Sequence, residues 1–220
     1  MLYIVSTPIG NLKDITYRAV EVLKSVHLIA AEDTRHTKVL TEHYQIQTPL
    51  TSYFEHNKIQ KSEYLLNLLK EGKDIALVTD AGTPGICDPG YHLIRLAQDH
   101  GIAMTVLPGA TALIAALSLS GLPSHRFIFE GFRPIKSGGR RKKLEEFKNE
   151  KRVIIFYEAP HRILKTLKDI EEVLENPLVV CAREITKKFE EVKKGKASEV
   201  LEYFSKGKPK GEFVILLQIG

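Results

Sequence analysis

Apolar and polar positions alternate along the chain in two distinct rhythms. Short apolar runs recur at residues 2–6, 27–31, 74–79, 103–107, 127–130, 152–157, 178–183 and 212–218, each of a length suited to a buried strand. Between them, residues 16–25, 34–44, 58–70, 89–100, 110–120, 139–149, 161–175 and 197–205 space apolar side chains three and four apart, as helices do. Leu65, Leu66, Leu68 and Leu69 against Lys61, Glu63 and Lys70 show the pattern plainly. Strand and helix alternate up to about residue 115, which predicts an α/β fold with a parallel sheet. Beyond Cys181 the stretches 178–183 and 187–195 follow one another closely, which predicts mixed or antiparallel pairing. The turn chemistry of Ser120-Gly-Leu-Pro-Ser124 after the small-residue helix ATALIAALSLS marks a boundary, giving domains over 1–118 and 119–220.

Composition narrows the class. A chain of 220 residues buries a substantial core without disulfides. Cys87 and Cys181 stand far apart with no CxxC or Cys/His spacing, so a reducing compartment and no structural zinc are expected. The sequence opens on the strand-like LYIV rather than a long apolar segment, so a cytoplasmic chain without a membrane span is expected. The net charge of +5 is concentrated in two loops: Lys136, Arg140, Arg141, Lys142 and Lys143 around Ser137-Gly138-Gly139, and Lys206, Lys208 and Lys210 beside Gly207, Pro209 and Gly211. Such loops serve either to neutralise phosphates or simply to keep the protein soluble.

The chemistry concentrates at strand exits. Asp80 to Gly90, DAGTPGICDPG, follows the apolar run IALVT and spends five of eleven residues on Gly and Pro. Gly82, Gly85 and Gly90 admit unusual backbone angles while Pro84 and Pro89 stiffen the loop, which suits either a tight turn or a concave ligand surface. Four further loops stand in equivalent positions: Ser6-Thr7-Pro8-Ile9-Gly10-Asn11, Ala31-Glu32-Asp33-Thr34-Arg35, Pro108-Gly109-Ala110-Thr111-Ala112 and Tyr157-Glu158-Ala159-Pro160-His161-Arg162. A parallel sheet gathers its strand exits along one edge, where α/β proteins bind ligands. Neither GxGxxG after the first strand nor GxxxxGK[ST] occurs, so the pocket suits a ligand gripped by backbone and short apolar residues such as Ile86, Ala110 and Ala112.

Taken in order, STPIGNLKDIT, AEDTRHT, DAGTPGICDPG, LPGATA, EGFRP, FYEAPHR and the terminal KGEFVIL resemble the 16S rRNA cytidine 2'-O-methyltransferase family, of the tetrapyrrole-methylase type of S-adenosylmethionine enzymes. The resemblance runs from residue 3 to about residue 217. It implies two α/β domains with the methyl donor in the cleft between them, a homodimer, and methylation of a ribose 2'-hydroxyl in the decoding region of 16S rRNA within the 30S subunit. It puts Pro8, Gly82, Thr83, Pro84, Gly85, Ile86, Ala110, Thr111 and Ala112 around S-adenosylmethionine, with Tyr157, Ala182, Lys210 and Gly211 contributed by the second domain. Members of that family commonly continue past the strand corresponding to EFVILLQIG, where this sequence ends.

Methyl transfer from a sulfonium to a ribose hydroxyl needs alignment and a group to take the hydroxyl proton. Glu32, Asp33, Asp80, Glu158 and His161 are the candidates at strand exits. Each also has an ordinary role: Asp33 as a helix cap, Glu158 as a partner of Arg162, His161 as a helix start. Arg35, Arg133, Arg162, Lys136, Arg140 and Arg141 are the candidate RNA contacts, and Phe132 and Tyr157 are aromatics able to stack an unpaired base or to fill a strand end. Two other readings stay open: a corrinoid or porphyrin-precursor methylase, against which STPIGN differs from a GxGPGD-type first loop, and a non-catalytic RNA-binding factor with a relic donor pocket.

Overall fold

The computed structural model describes residues 1–132 and 134–219 and divides into two compact units, Met1–Thr111 and Ala112–Gly220. Five strands build the first: β1 (Leu2–Val5), β2 (Leu28–Ala31), β3 (Leu50–Ser52), β4 (Ile75–Val78) and β5 (Met104–Leu107). They lie in the order β3-β2-β4-β1-β5, and every pairing is parallel. β2 and β4, buried at every residue, are continuous apolar runs, as central strands of a parallel sheet covered on both faces must be. β3 differs. Three half-exposed residues give no periodicity to read, and β3 takes its place only by pairing Leu50 to Ser52 with Ile29 to Ala31.

The connecting helices are α1 (Tyr17–Ser25), α2 (Thr34–His43), α3 (Lys58–Lys70) and α4 (Gly90–Asp99). Alternate residues of each strand face opposite sides. On one side Val5, Ile29, Ala31, Ala76, Val78 and Leu107 pack with Ala19, Leu23 and Leu40 of α1 and α2; on the other, Leu2, Leu28, Ala30, Ile75 and Leu77 pack with Leu65, Leu69, Leu93 and Ala97 of α3 and α4. The chain leaves β1 towards β2 and leaves its neighbour β4 in the opposite direction towards β5. The two connections pass on opposite faces, α1 on one and α4 on the other, and adjacent exits that turn to opposite faces make a topological switch point, where α/β sheets hold ligands.

The second unit contains α5 (Ala112–Ser120), β6 (Phe127–Phe132), α6 (Ser137–Glu145), β7 (Val153–Glu158), α7 (Ile163–Val173), β8 (Leu178–Arg183), β9 (Glu191–Lys196), α8 (Ala197–Ser205) and β10 (Phe213–Gln218). Its strand order is β6-β7-β10-β8-β9; β6 and β7 are parallel and the other pairs antiparallel, the mixed sheet expected from the sequence. α6, α7 and α8 cover one face through Leu144, Ile163, Leu167, Ile170, Val200 and Phe204 against Ile154, Phe156, Cys181 and Ile215. α5 packs against β7, β8, β9 and β10. This packing carries the whole of α5 into the second unit, so the division falls at 111/112 rather than within the helix at 118/119. β9 begins at Glu191 rather than at 187, because residues 184–190 form its turn, with Glu184 and Thr186 at φ 50° and 69°. Among the described residues no helix is long and apolar enough to cross a membrane, and no cluster of His, Cys, Asp and Glu has metal-ligating geometry.

Candidate functional site

Three loops of the first unit are tied together at the switch point. Thr7 N donates to Gly82 O at 2.9 Å and Gly82 N to Thr7 O at 3.1 Å; the Thr7 hydroxyl also donates to Thr79 O at 3.0 Å. The Ser6 and Thr83 hydroxyls lie 2.8 Å apart, and Ser6 N donates to Leu107 O at 3.2 Å, which brings in the exit of β5. Gly82 and Gly85 both stand at φ 89°, where an L side chain is strained. Within these loops Pro8 and Pro84 are buried, while Ile86 is 42% exposed. Ala110 and Thr111 are half-buried at the β5 exit, and Ala112 opens α5 of the other unit.

Asp88 organises the rest of DAGTPGICDPG. Its two carboxylate oxygens accept the amide of Gly85, both at 2.9 Å, and Oδ1 also accepts the amide of Gly90 at 2.7 Å. Burial raises the Asp88 pKa, and the amides oppose that shift by favouring the ionised form. The sequence reading assigned Asp88 no role, although an Asp two residues before a Gly is the sequence sign of this side-chain turn.

The acidic candidates separate by environment. The Glu32 carboxylate accepts the Thr79 hydroxyl at 2.5 Å and Asp80 N at 3.3 Å, and Asp80 Oδ1 accepts Asp33 N at 3.0 Å, so the exits of β2 and β4 are cross-braced. Burial first, and the Glu32 charge second, push the Asp80 carboxyl above its ordinary pKa. Asp33 caps α2 through Arg35 N at 2.8 Å and pairs with the Arg35 guanidinium at 2.6 Å. That hydrogen-bonded pairing holds Asp33 well below the usual carboxylate range. Glu158 is buried, accepting the Thr166 hydroxyl at 2.6 Å and pairing with Arg162 at 3.0 Å. His161 is exposed in the turn before α7.

One end of the second sheet gathers the residues expected there. Tyr157, Val214, Ala182 and Val192 form a row across β7, β10, β8 and β9. Gly211 enters β10 at the same end, where a Cβ would collide with the Glu184 side chain; Lys210 beside it is exposed. Phe129 and Phe132 meet Tyr157 edge-on, with centroids 5.1 and 5.5 Å away.

The basic cluster is less uniform than its sequence. Arg140 is only 3% exposed, and its guanidinium pairs with the buried Asp169, Nε donating at 2.6 Å. Arg141 reaches Asp169 at 3.2 Å and Glu172 at 2.5 Å. Arg140 thus corrects its assignment to the RNA surface: helix periodicity turns it inward, and a carboxylate 29 residues away in sequence holds it there. Arg141 is largely committed to the same acidic pair. Arg35 stays exposed beside Asp33, Arg162 is held by Glu158 and by Pro134 O at 3.2 Å, and Lys136 is exposed. Arg133 lies outside the described residues.

A five-stranded parallel unit followed by a mixed five-stranded unit is a fold shared with the solved methyltransferase CobJ, with a TM-score of 0.71 at 19% identity, covering 100% of this chain and 94% of that one. Residues 1–201 match the family described as Tetrapyrrole (Corrin/Porphyrin) Methylases. The chain belongs to this family and, within it, to the group named ribosomal RNA small subunit methyltransferase I. The relative of that name in Escherichia coli O157:H7 is 52% identical over 99% of this chain and 77% of its own length. The relative in Thermotoga maritima is 49% identical over 98% of this chain and 97% of its own.

S-adenosylmethionine is the methyl donor of the family. The loops of the first unit suit such a ligand. They offer an exposed peptide edge at Gly109, apolar groups at Ile86 and Ala110, and no basic side chain between Asp80 and Gly90 to repel a sulfonium. At Gly109 a Cβ would lie 2.8 Å from the Ser6 Cβ, so these loops approach one another through backbone.

Proposed function

We propose that this protein transfers the methyl group of S-adenosylmethionine to the ribose 2'-hydroxyl of a cytidine in the decoding region of 16S rRNA within the 30S subunit. The observation that carries the reading is close likeness, at about half identity over nearly the whole chain, to relatives named for methylation of small-subunit ribosomal RNA. The division of charge supports it. The second unit carries 22 Lys and Arg against 15 Asp and Glu, and the first 10 against 12. A mildly acidic unit suits a cationic donor, and a basic one suits a polyanionic acceptor.

In this reading Pro8, Gly82 to Ile86 and Ala110 to Ala112 hold the donor largely through main chain, and Tyr157, Ala182, Lys210 and Gly211 are the second unit's contribution. When bound, the donor supplies an electrophilic methyl carbon. Asp80 takes the proton of the attacking hydroxyl, because it alone among the candidate carboxylates combines a raised pKa with incomplete burial at a strand exit. Glu32 positions it through Asp80 N and keeps its proton affinity high. Arg35, Lys136 and Arg162 belong to the acceptor side, and the protein works in the cytoplasm as a homodimer.

The test is incubation with methyl-labelled S-adenosylmethionine and, in turn, 30S subunits, naked 16S rRNA and a tetrapyrrole mixture. Label on a ribose oxygen of subunit RNA is the expected result. Label on a base, on a tetrapyrrole, or on nothing despite donor binding overturns the reading.

A further inference from the structure

β6 pairs with β7 in two registers. Phe129 lies opposite Ile155 and Phe132 opposite Tyr157, so β6 uses one more residue than β7 over the same distance. The extra residue is accommodated at Gly131, which sits at φ 60°. In an unbroken strand Gly131 would face Tyr157, and Phe132 would turn to the face covered by α6, α7 and α8. The bulge reverses that. It brings the Phe132 ring to the Tyr157 side of the sheet, a common use of bulges near binding sites.

The ring so placed is both held and open. Phe132 meets Tyr157 edge-on at 5.5 Å and 61°, and Tyr157 is braced in turn by Phe129 at 5.1 Å and 67°, yet Phe132 remains 59% exposed. A fixed aromatic ring loses little freedom on stacking, and the π-face of an unpaired base is its natural complement. The surroundings select a nucleic acid over an apolar peptide, because this unit carries the chain's positive excess and the exposed Lys136 follows four residues later.

We infer that Phe132 is a stacking platform for an unpaired base of the RNA acceptor, aimed by the β6 bulge at Gly131. The inference rests on the acceptor reading above and deepens it, for it sets a splayed-out base beside Tyr157, itself proposed to lie at the donor.

The test compares the full-length wild type, Phe132→Ala, Phe132→Trp and Gly131→Ala. Three quantities are measured: the KM for 30S subunits, the Kd for S-adenosylmethionine by calorimetry, and quenching of a 2-aminopurine-substituted single-stranded RNA. Phe132→Ala is expected to raise the subunit KM about tenfold, the lower end of what one lost base stack produces. It should also abolish quenching and leave the donor Kd unchanged. Phe132→Trp should retain both KM and quenching, while Gly131→Ala, which keeps the ring but strains the bulge, should behave like Phe132→Ala. If the wild type methylates subunits and Phe132→Ala matches it in KM and quenching, the inference fails alone. If the wild type does not methylate subunits, the acceptor reading fails and takes the inference with it.

Discussion

Thr7 and Gly82 exchange both of their main-chain hydrogen bonds as an isolated antiparallel bridge beyond the exits of β1 and β4. The two strands themselves run parallel, so the bridge exists only because the chain doubles back between Thr79 and Gly82. The Thr7 hydroxyl closes that reversal by donating to Thr79 O, and the Ser6 and Thr83 hydroxyls fasten the next residues. The loops after β1 and β4 thus form one braced wall, and its geometry depends on Gly82 at φ 89°.

Gly82→Ala follows directly. A Cβ there meets Ala110 O and Ile9 Cγ2 only at ordinary contact distance, both 3.7 Å, so crowding is not the obstacle. The obstacle is the backbone angle, which costs about 1–3 kcal/mol for an L side chain. Relief by rotating the peptide breaks the bridge to Thr7. The expected outcome is a weakening of S-adenosylmethionine binding by about tenfold or more in calorimetry, with a modest fall in Tm, whereas Gly72→Ala, at φ 83° in a turn with open space around it, should lower Tm without touching donor affinity.

Asp88 holds its loop from beneath, and its removal should loosen the loop without altering the sheet. Asp88→Ala leaves the Gly85 and Gly90 amides without their acceptor. Hydrogen bonds to a charged group are worth about 1.5–3 kcal/mol, so a loss of about 3 kcal/mol in urea unfolding is expected. Asp88→Asn keeps the Oδ1 that accepts both amides and removes a carboxylate charge that burial disfavours, so it should retain most of the wild-type stability. Amide hydrogen exchange should show faster exchange at Gly85 and Gly90 in Asp88→Ala, with β4 still protected.

The pH dependence at Asp80 has a definite sign. Its folded-state pKa is raised, by burial and by Glu32, so the ionised carboxylate destabilises the fold at neutral pH. Asp80→Asn removes that charge while its side-chain oxygen still accepts Asp33 N. The variant should therefore be more stable than wild type above the folded pKa of Asp80. Its advantage should shrink as pH falls through that value and vanish below the unfolded pKa of about 3.8. Thermal melts across that window measure it. Methyl transfer should fall by about 100-fold or more, as expected for loss of a general base, with donor affinity unchanged.

How much of this was legible beforehand depends on the range of the interaction involved. The strands 178–183 and the helices 58–70 and 197–205 agree with the structure end to end, because local periodicity and burial coincide there. The convergence of Pro8, Gly82 and Ala110 at strand exits was readable once the sheet was taken as parallel. β3 was not readable, since three residues between Pro49 and Tyr53 carry no pattern and pair only with a partner more than twenty residues away. The β6 bulge was hidden for a similar reason, as a single glycine in EGF gives no sign of the register it shifts. The role of Asp169 was hidden as well, for its partner Arg140 reads as one of five surface cations until the helix turns it inward.

That inward turn decides how the basic cluster must be tested. Reversing Arg140 and Arg141 to Glu would set acidic side chains against Asp169 and Glu172, and a buried ion pair broken on one side costs about 3–5 kcal/mol. Arg140→Ala should therefore lower unfolding stability by that order, and any loss of activity would say nothing of RNA. Lys136 and Lys142 are exposed and make no ion pair among the described residues. Lys136→Ala with Lys142→Ala should leave Tm and donor affinity unchanged and weaken 30S binding. If both contact phosphates, the slope of log K against log salt should become shallower by about 1.4–1.8, the combined contribution of two phosphate contacts to RNA or duplex. An unchanged slope would remove this helix from the acceptor surface and leave Arg35, Arg162 and the 206–210 loop to supply the contacts.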